Sequence, residues 1–361
     1  MTGAASRRAT AGQGRLLALS LGCPSGIGPE VAVVAAAESD VPVLLVGSLA
    51  VVHRAARGRG LPVERFVSVP SPRAPAPRGA VAVWEPGAPL RLRDAPLGAP
   101  TAAGGAAQLA WIDAACDLVS AGQAAALVTG PASKEAIVRS GAPKSRGFRG
   151  HTEHLQARLG ADEVVMAFAA AQLTTALVTT HLPLAKVPRA LTAEGVARAT
   201  FWLGHLLARL AGGAPAAPVA VAGLNPHAGE GGLLGHEETR IIEPGMELAR
   251  ARLRRGRLAV KLVGPVPAES AYRLAARGAF AGVVAMYHDQ ATIPMKLVGF
   301  GDAVNVSLGL PIVRTSVDHG TGYDRAASFT ADPRGMVEAL ALAARLSAPT
   351  ASAARTRGAR G

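Results

Sequence analysis

The sequence predicts an α/β fold with mainly parallel sheets and helices on both faces. Three observations carry that expectation. Short apolar runs alternate with longer helical patterns along most of the chain, and such alternation favours strand–helix–strand units. Hydrophobic residues make up 49% and charged residues 17% of the 361, a globular composition in a chain long enough for two lobes. Polar residues also concentrate just beyond the apolar runs, where open α/β sheets place their ligands.

In chain order, strands are expected over 16–21, 43–46, 80–84, 125–129, 164–168, 176–180, 219–224, 259–263, 283–286 and 303–306, each a short apolar run. Helical patterns fall over 30–38, 106–119, 134–140, 192–210, 237–255, 269–277 and 333–346. The stretch 70–79, with prolines at 70, 72, 75 and 77, reads as a surface loop because apolar strands resume directly after it. No internal repeat is apparent.

The formal charge of +13 raises nucleic-acid binding, and its distribution argues against it. Arg7, Arg8 and Arg15 lie in an acid-free N-terminal tail, and Arg355, Arg357 and Arg360 in a small-residue C-terminal tail. Arg250, Arg252, Arg254, Arg255 and Arg257 close a helical stretch, where cations favour the dipole. No aromatic residues interleave with these arginines, so neither nucleic acid nor membrane is expected as a partner. No apolar run reaches the length of a membrane span. Cys23 and Cys116 are too few for a disulfide framework, and a reducing cytoplasm is the expected compartment.

Three histidines stand just beyond the ends of three strands: His181 after 176–180, His227 in the Asn225-Pro226-His227-Ala228-Gly229-Glu230 turn, and His288 in Tyr287-His288-Asp289-Gln290. Each alone reads more readily as a hydrogen-bonding loop residue than as a ligand. Their shared placement points to a divalent metal, since three neutral imidazoles leave a coordination position open for substrate. Lys296, Asn305 and Arg314 follow in a weakly charged region; a lysine point charge with an arginine fork suits phosphate or carboxylate.

Glycine-rich turns form the third group. Gly22-Cys23-Pro24-Ser25-Gly26-Ile27-Gly28-Pro29-Glu30 joins the first strand to a helix but lacks the GxGxxG spacing, so an ordinary dinucleotide fingerprint is absent. Contacts to a nicotinamide are therefore left unassigned. Thr129-Gly130-Pro131-Ala132-Ser133-Lys134-Glu135 and Gly150-His151-Thr152-Glu153 are further turns. In the latter Thr152 is expected to cap a helix and His151 to donate to an anion.

The blocks GCPSGIGPE, TGPASKEA, GHTEH, LVTTHLPL, GLNPHAGEGG, MYHDQ and GFGDAVNVSLGLPIVRTSVDHGTGYD together resemble the PdxA family, the 4-hydroxythreonine-4-phosphate dehydrogenases of pyridoxal phosphate synthesis. The resemblance runs from about residue 16 to residue 346. It implies a two-lobed fold like that of isocitrate and isopropylmalate dehydrogenases, with a central cleft. The first lobe would comprise 15–133 with 305–347, and the second, carrying the metal ligands, 134–304. Tails 1–14 and 348–361 would be disordered. A homodimer with shared active sites is implied too.

The same resemblance places metal ligands on His181, His227 and His288, and substrate contacts on His151, Thr152, Lys296, Asn305 and Arg314. It implies NAD or NADP and one divalent ion (Zn, Mg or Co) as cofactors. The implied reaction oxidises 4-phosphooxy-L-threonine to a β-keto acid that loses CO₂ to give 3-amino-2-oxopropyl phosphate. Asp289, beside a ligand, is assigned to metal orientation or proton transfer. Two departures stand out: Cys23 occupies a position usually Asp, and Glu269 one usually Asp, displacing any catalytic carboxylate there by a methylene. The alternatives are a relative oxidising threonate or erythronate 4-phosphate, one acting on a dihydrodiol carboxylate, a metal-dependent hydrolase using the same histidines, and a binding protein with a decayed site.

Overall fold

A computed structural model of the chain describes residues 16–299 and 301–348. The expected tails lie outside the described residues, Ala348 apart. The chain forms two compact units, one reaching to Ala161 and including Leu310–Ala348, the other Asp162–Gly309.

In chain order the first unit contributes β1 (Leu17–Ser20), β2 (Val43–Val46), β3 (Phe66–Ser68), β4 (Val81–Trp84) and β5 (Ala126–Thr129). The second contributes β6 (Val165–Ala169), β7 (Thr174–Leu177), β8 (Val219–Ala222), β9 (Leu262–Val266), β10 (Gly282–Ala285) and β11 (Val304–Leu308), and β12 (Arg314–Val317) returns to the first. The first unit's strands lie in the order β3-β4-β2-β1-β5-β12, every pairing parallel. Those of the second lie in the order β11-β6-β7-β10-β8-β9. There β6 pairs antiparallel with both neighbours, while β7, β10, β8 and β9 are parallel. The expected α/β class with mainly parallel sheets is what the chain adopts.

Burial explains why strands read as continuous apolar runs. All four residues of β1, β2, β5, β8 and β10 are buried, as parallel strands covered on both faces must be. In the second unit Phe168, Leu177, Ala220, Val283, Ala285 and Met295 share one core. Helices begin where short polar side chains satisfy the first free amides. Thr101, Ser133 and Thr192 accept from Gly104, Ala136 and Gly195 at 3.0, 3.1 and 3.0 Å.

Several expectations shift. The run expected over 176–180 pairs as Thr174–Leu177, because Thr174 and Thr175 are buried β-branched residues despite their hydroxyls. The strand expected over 259–263 is Leu262–Val266; Leu258 still bonds back to Leu253 and Val260 to Leu258, closing the preceding helix. β3 and β12 were not expected, the latter because its Arg-Thr-Ser sequence is polar yet buried. The helix His288–Val298 contains Pro294, a residue that argues against a helix on sequence alone.

The expected lobe boundaries at 133/134 and 304/305 compare with observed ones at 161/162 and 309/310. The physical reason is the helix Ala102–Ser120, which holds the following segment in the first unit. Gln108 accepts from the Ser133 amide at 2.8 Å, Asp113 pairs with His154 at 2.6 Å, and Asp117 with Arg158 at 2.7 Å. Gly105 is required there, since a Cβ would stand 1.9 Å from the Ala136 carbonyl oxygen.

Candidate active site

In the second unit, the ends of β7, β10 and β8 are laced together by side chains. Beyond β7, Thr179 donates from its hydroxyl to the Met286 carbonyl at 2.7 Å. Beyond β10, the Met286 amide donates to Gln290 Oε1 at 2.6 Å, and Gln290 Nε2 donates to the Gly223 carbonyl beyond β8 at 2.8 Å. These three strand ends lead to His181, His288 and His227. Thr179 and Gln290 were not singled out in the sequence, although Gln290 stands two residues from a proposed ligand.

His181 and His288 come together, their ring centres 5.2 Å apart and inclined at 44°. They line a cavity of about 400 Å³ with Thr180, Tyr287, Asp289 and the apolar Leu182, Leu184 and Ile293. His288 opens its helix, and its Nδ1 lies 2.7 Å from Asp289 Oδ1. A proton on Nδ1 then leaves Nε2 as the open donor atom, the arrangement that metal-binding histidines use. With metal–nitrogen distances near 2.1 Å, two imidazoles on one tetrahedral ion stand about 5 Å apart between centres. The pair fits that requirement.

His227 sits apart from this pairing, exposed on a tight turn at φ 53°. Among the described residues no three His, Cys, Asp or Glu side chains gather closely enough to hold an ion. Lys296 is exposed in the last turn of the helix His288–Val298. Asn305 lies on β11 with its Oδ1 buried and without a hydrogen-bond partner. Glu269 is exposed, accepts from Ser270 Oγ at 2.6 Å and lies 3.8 Å from Arg273.

The first unit holds a different constellation. His151 begins the helix His151–Leu159, packs edge-on to Phe148 at 6.1 Å, and has its Nε2 buried without a hydrogen-bond partner. Burial, reinforced by the charges of Arg314, His154 and Lys134, pushes its pKa well below the ordinary value near 6.5. The ring is neutral at neutral pH. Arg314, 3% exposed, donates from Nη2 to Thr129 Oγ1 at 2.6 Å. Burial brings its pKa down to about 10, partly offset by Glu153. Thr152 does not cap the helix as expected. The N-cap is Gly150 in extended conformation, and a Cβ there would come 2.9 Å from Glu153 Oε2.

Cys23 is 1% exposed, with Sγ 3.3 Å from the Tyr323 hydroxyl. Burial raises the thiol pKa and, with Cys23 beside it, carries that of Tyr323 to about 12. Both stay protonated, so neither Cys23 nor Tyr323 brings a charge to this turn. No described helix is long and apolar enough to cross a membrane.

Comparison with known proteins places these constellations in context. Residues 39–343 match the family described as pyridoxal phosphate biosynthetic protein PdxA. A 4-hydroxythreonine-4-phosphate dehydrogenase from Desulfosudis oleivorans is 40% identical over 333 residues, covering 91% of this chain and 95% of its relative. The crystal structure of the enzyme of the same name from Klebsiella pneumoniae is 32% identical, with a TM-score of 0.79, over 92% of this chain and 100% of that one. A terephthalate 1,2-cis-dihydrodiol dehydrogenase from Burkholderia xenovorans is also 32% identical, at a TM-score of 0.63, covering 92% and 98%.

Proposed function

The chain belongs to the PdxA family, and from that premise we propose that it is a 4-hydroxythreonine-4-phosphate dehydrogenase acting in pyridoxal phosphate biosynthesis. It oxidises 4-phosphooxy-L-threonine with NAD or NADP to a β-keto acid, which decarboxylates to 3-amino-2-oxopropyl phosphate. His181, His227 and His288 hold the divalent ion (Zn, Mg or Co). When bound, that ion supplies Lewis acidity at the substrate hydroxyl, and the nicotinamide supplies the hydride acceptor.

The chain's own residues bind and orient. Asp289 holds the His288 ring in one tautomer through the 2.7 Å contact and lines the same cavity, where a carboxylate can take a proton. Arg314 presents a desolvated guanidinium, and both it and Lys134 bring positive charge to His151, a setting suited to a phosphate dianion. His151 offers a neutral ring whose Nε2 awaits a partner. Thr152, Lys296 and Asn305 complete the proposed substrate contacts. Glu269 is held by Ser270 and Arg273, which favours Asp289 over it for proton transfer. The apolar residues around the histidine cavity, Leu184 at 69% and Ile293 at 59% exposure, suit cover by a second copy in a homodimer. A cytoplasmic setting suits two buried free cysteines.

The observation that carries the phosphorylated substrate is the buried, unbonded Nε2 of His151 under the charges of Arg314 and Lys134. A dihydrodiol carboxylate would leave part of that constellation unmatched. Offering 4-phosphooxy-L-threonine, threonate 4-phosphate and a dihydrodiol carboxylate in parallel, with NAD and with NADP, tests this. Reduction of nicotinamide is expected fastest with the first. Preference for the dihydrodiol would overturn the assignment, and metal-dependent hydrolysis without nicotinamide would replace it with a different class.

A further inference from the structure

The turn that carries His227 has an unusual backbone. Five successive residues adopt left-handed conformations: His227 (φ 53°), Ala228 (53°), Gly229 (81°), Glu230 (45°) and Gly231 (67°). Three of them are not glycine, and L-residues with a Cβ adopt this conformation only against a steric penalty. Strain of this kind persists only where surrounding contacts over-determine it, and those contacts lead to Glu238.

Glu238 is 3% exposed. Its Oε1 accepts from the amides of Leu224 and Asn225, both at 2.8 Å, and its Oε2 accepts from Asn225 Nδ2 at 3.0 Å. Asn225 Nδ2 also donates to Glu237 Oε2 at 2.8 Å, which holds the Glu237 carboxyl below its usual range. Two glycines make room for this clasp. A Cβ on Gly229 would come 2.7 Å from Glu238 Oε2, and one on Gly235 2.4 Å from Asn225 Nδ2. Below it, Gln290 ties Gly223 to Met286, so the base of the turn is fixed to the strand end that leads to His288. A carboxylate is well suited to the post, because amide donors bind it more strongly than a neutral acceptor.

We infer that Glu238 is a positioning residue: its buried carboxylate, through Asn225, holds the 224–231 turn in the left-handed conformation that sets where His227, the proposed ligand, stands. The inference rests on His227 being a ligand. Both oxygens of Glu238 are taken up by the amides of Leu224 and Asn225 and by Asn225 Nδ2, so its part is to position rather than to ligate. Exchange for Gln keeps an acceptor for the two amides but turns an NH₂ group toward Asn225 Nδ2, a donor facing a donor.

The test is a cycle of four metal-free proteins: wild type, Glu238→Gln, His227→Ala and the double variant. Each is titrated with cobalt(II), read by visible absorption and by the shift in thermal midpoint. Loss of a group that orients a ligand lowers metal affinity by about 10–100-fold. That loss is expected for Glu238→Gln in the wild-type background and is expected to vanish when His227 is already alanine. A lower midpoint with unchanged cobalt affinity makes Glu238 purely structural and overturns the inference. So does an equal loss in both backgrounds. If His227→Ala alone leaves cobalt affinity unchanged, the metal assignment itself fails, and the inference with it. Should Glu238→Gln not fold, Asn225→Ala replaces it in the cycle, since it removes the side-chain link while leaving both amide bonds to Glu238.

Discussion

The two units prepare for chemistry in contrasting ways. In the first, Arg314 is 3% exposed and His151 buries a bare Nε2, so polar groups are stripped of water by the fold itself. In the second, His181 is exposed and the His288 side chain keeps 34% of its surface, inside a cavity rimmed by leucine and isoleucine. A desolvated cation interacts strongly with an incoming anion because water no longer competes. Imidazoles need no such treatment, since they bind ions as neutral donors and gain from having one tautomer fixed. The contrast shows where folding energy is invested. Burial of a guanidinium costs several kcal/mol, and the first unit bears that cost, whereas the second is organised by hydrogen bonds among strand ends.

The largest test of this contrast is His288→Ala. It is expected to lower kcat/KM by more than the roughly 10–100-fold typical of a group that merely supports a ligand, with the fold retained by circular dichroism. Retention of wild-type activity would place the chemistry elsewhere. Arg314→Lys comes next. A flexible ammonium replaces a planar fork, and loss of about 2 kcal/mol, some 30-fold in kcat/KM, is expected with the phosphorylated substrate. The same loss with a substrate lacking phosphate would show that Arg314 does not read that group.

The smallest effect concerns pH and the ring of His151. Its folded-state pKa is depressed, so the unfolded chain binds the proton first as pH falls. Its contribution to stability is therefore complete above pH about 6.5, the ordinary histidine value, and declines below it until the folded ring also protonates. The thermal midpoint of His151→Gln should fall less steeply than wild type across that interval. Parallel curves would place the acid sensitivity elsewhere.

Much of this was legible in the sequence. Alternating apolar runs marked ten of the strands, and strand-end placement picked out His181 and His288 before any geometry was known. What stayed hidden was hidden for physical reasons. β12 presents Arg-Thr-Ser, whose burial depends on partners such as Thr129, remote in sequence. Glu238 reads as one more surface carboxylate until folding folds the Asn225 turn onto it. Thr152 looked like a cap because threonine often is one, yet the helix starts at His151 and Gly150 takes the cap position. The helix behind His288 was masked by Pro294.

The left-handed turn also dictates what this protein can tolerate by descent or by design. Glycine at 228 or 230 relieves the backbone at no steric cost, whereas valine, isoleucine or threonine there meets a conformation β-branched residues avoid. A library that randomises 228 and 230 should therefore return glycine, asparagine and aspartate and few β-branched residues. The backbone acts as a filter on variation ahead of any demand from catalysis.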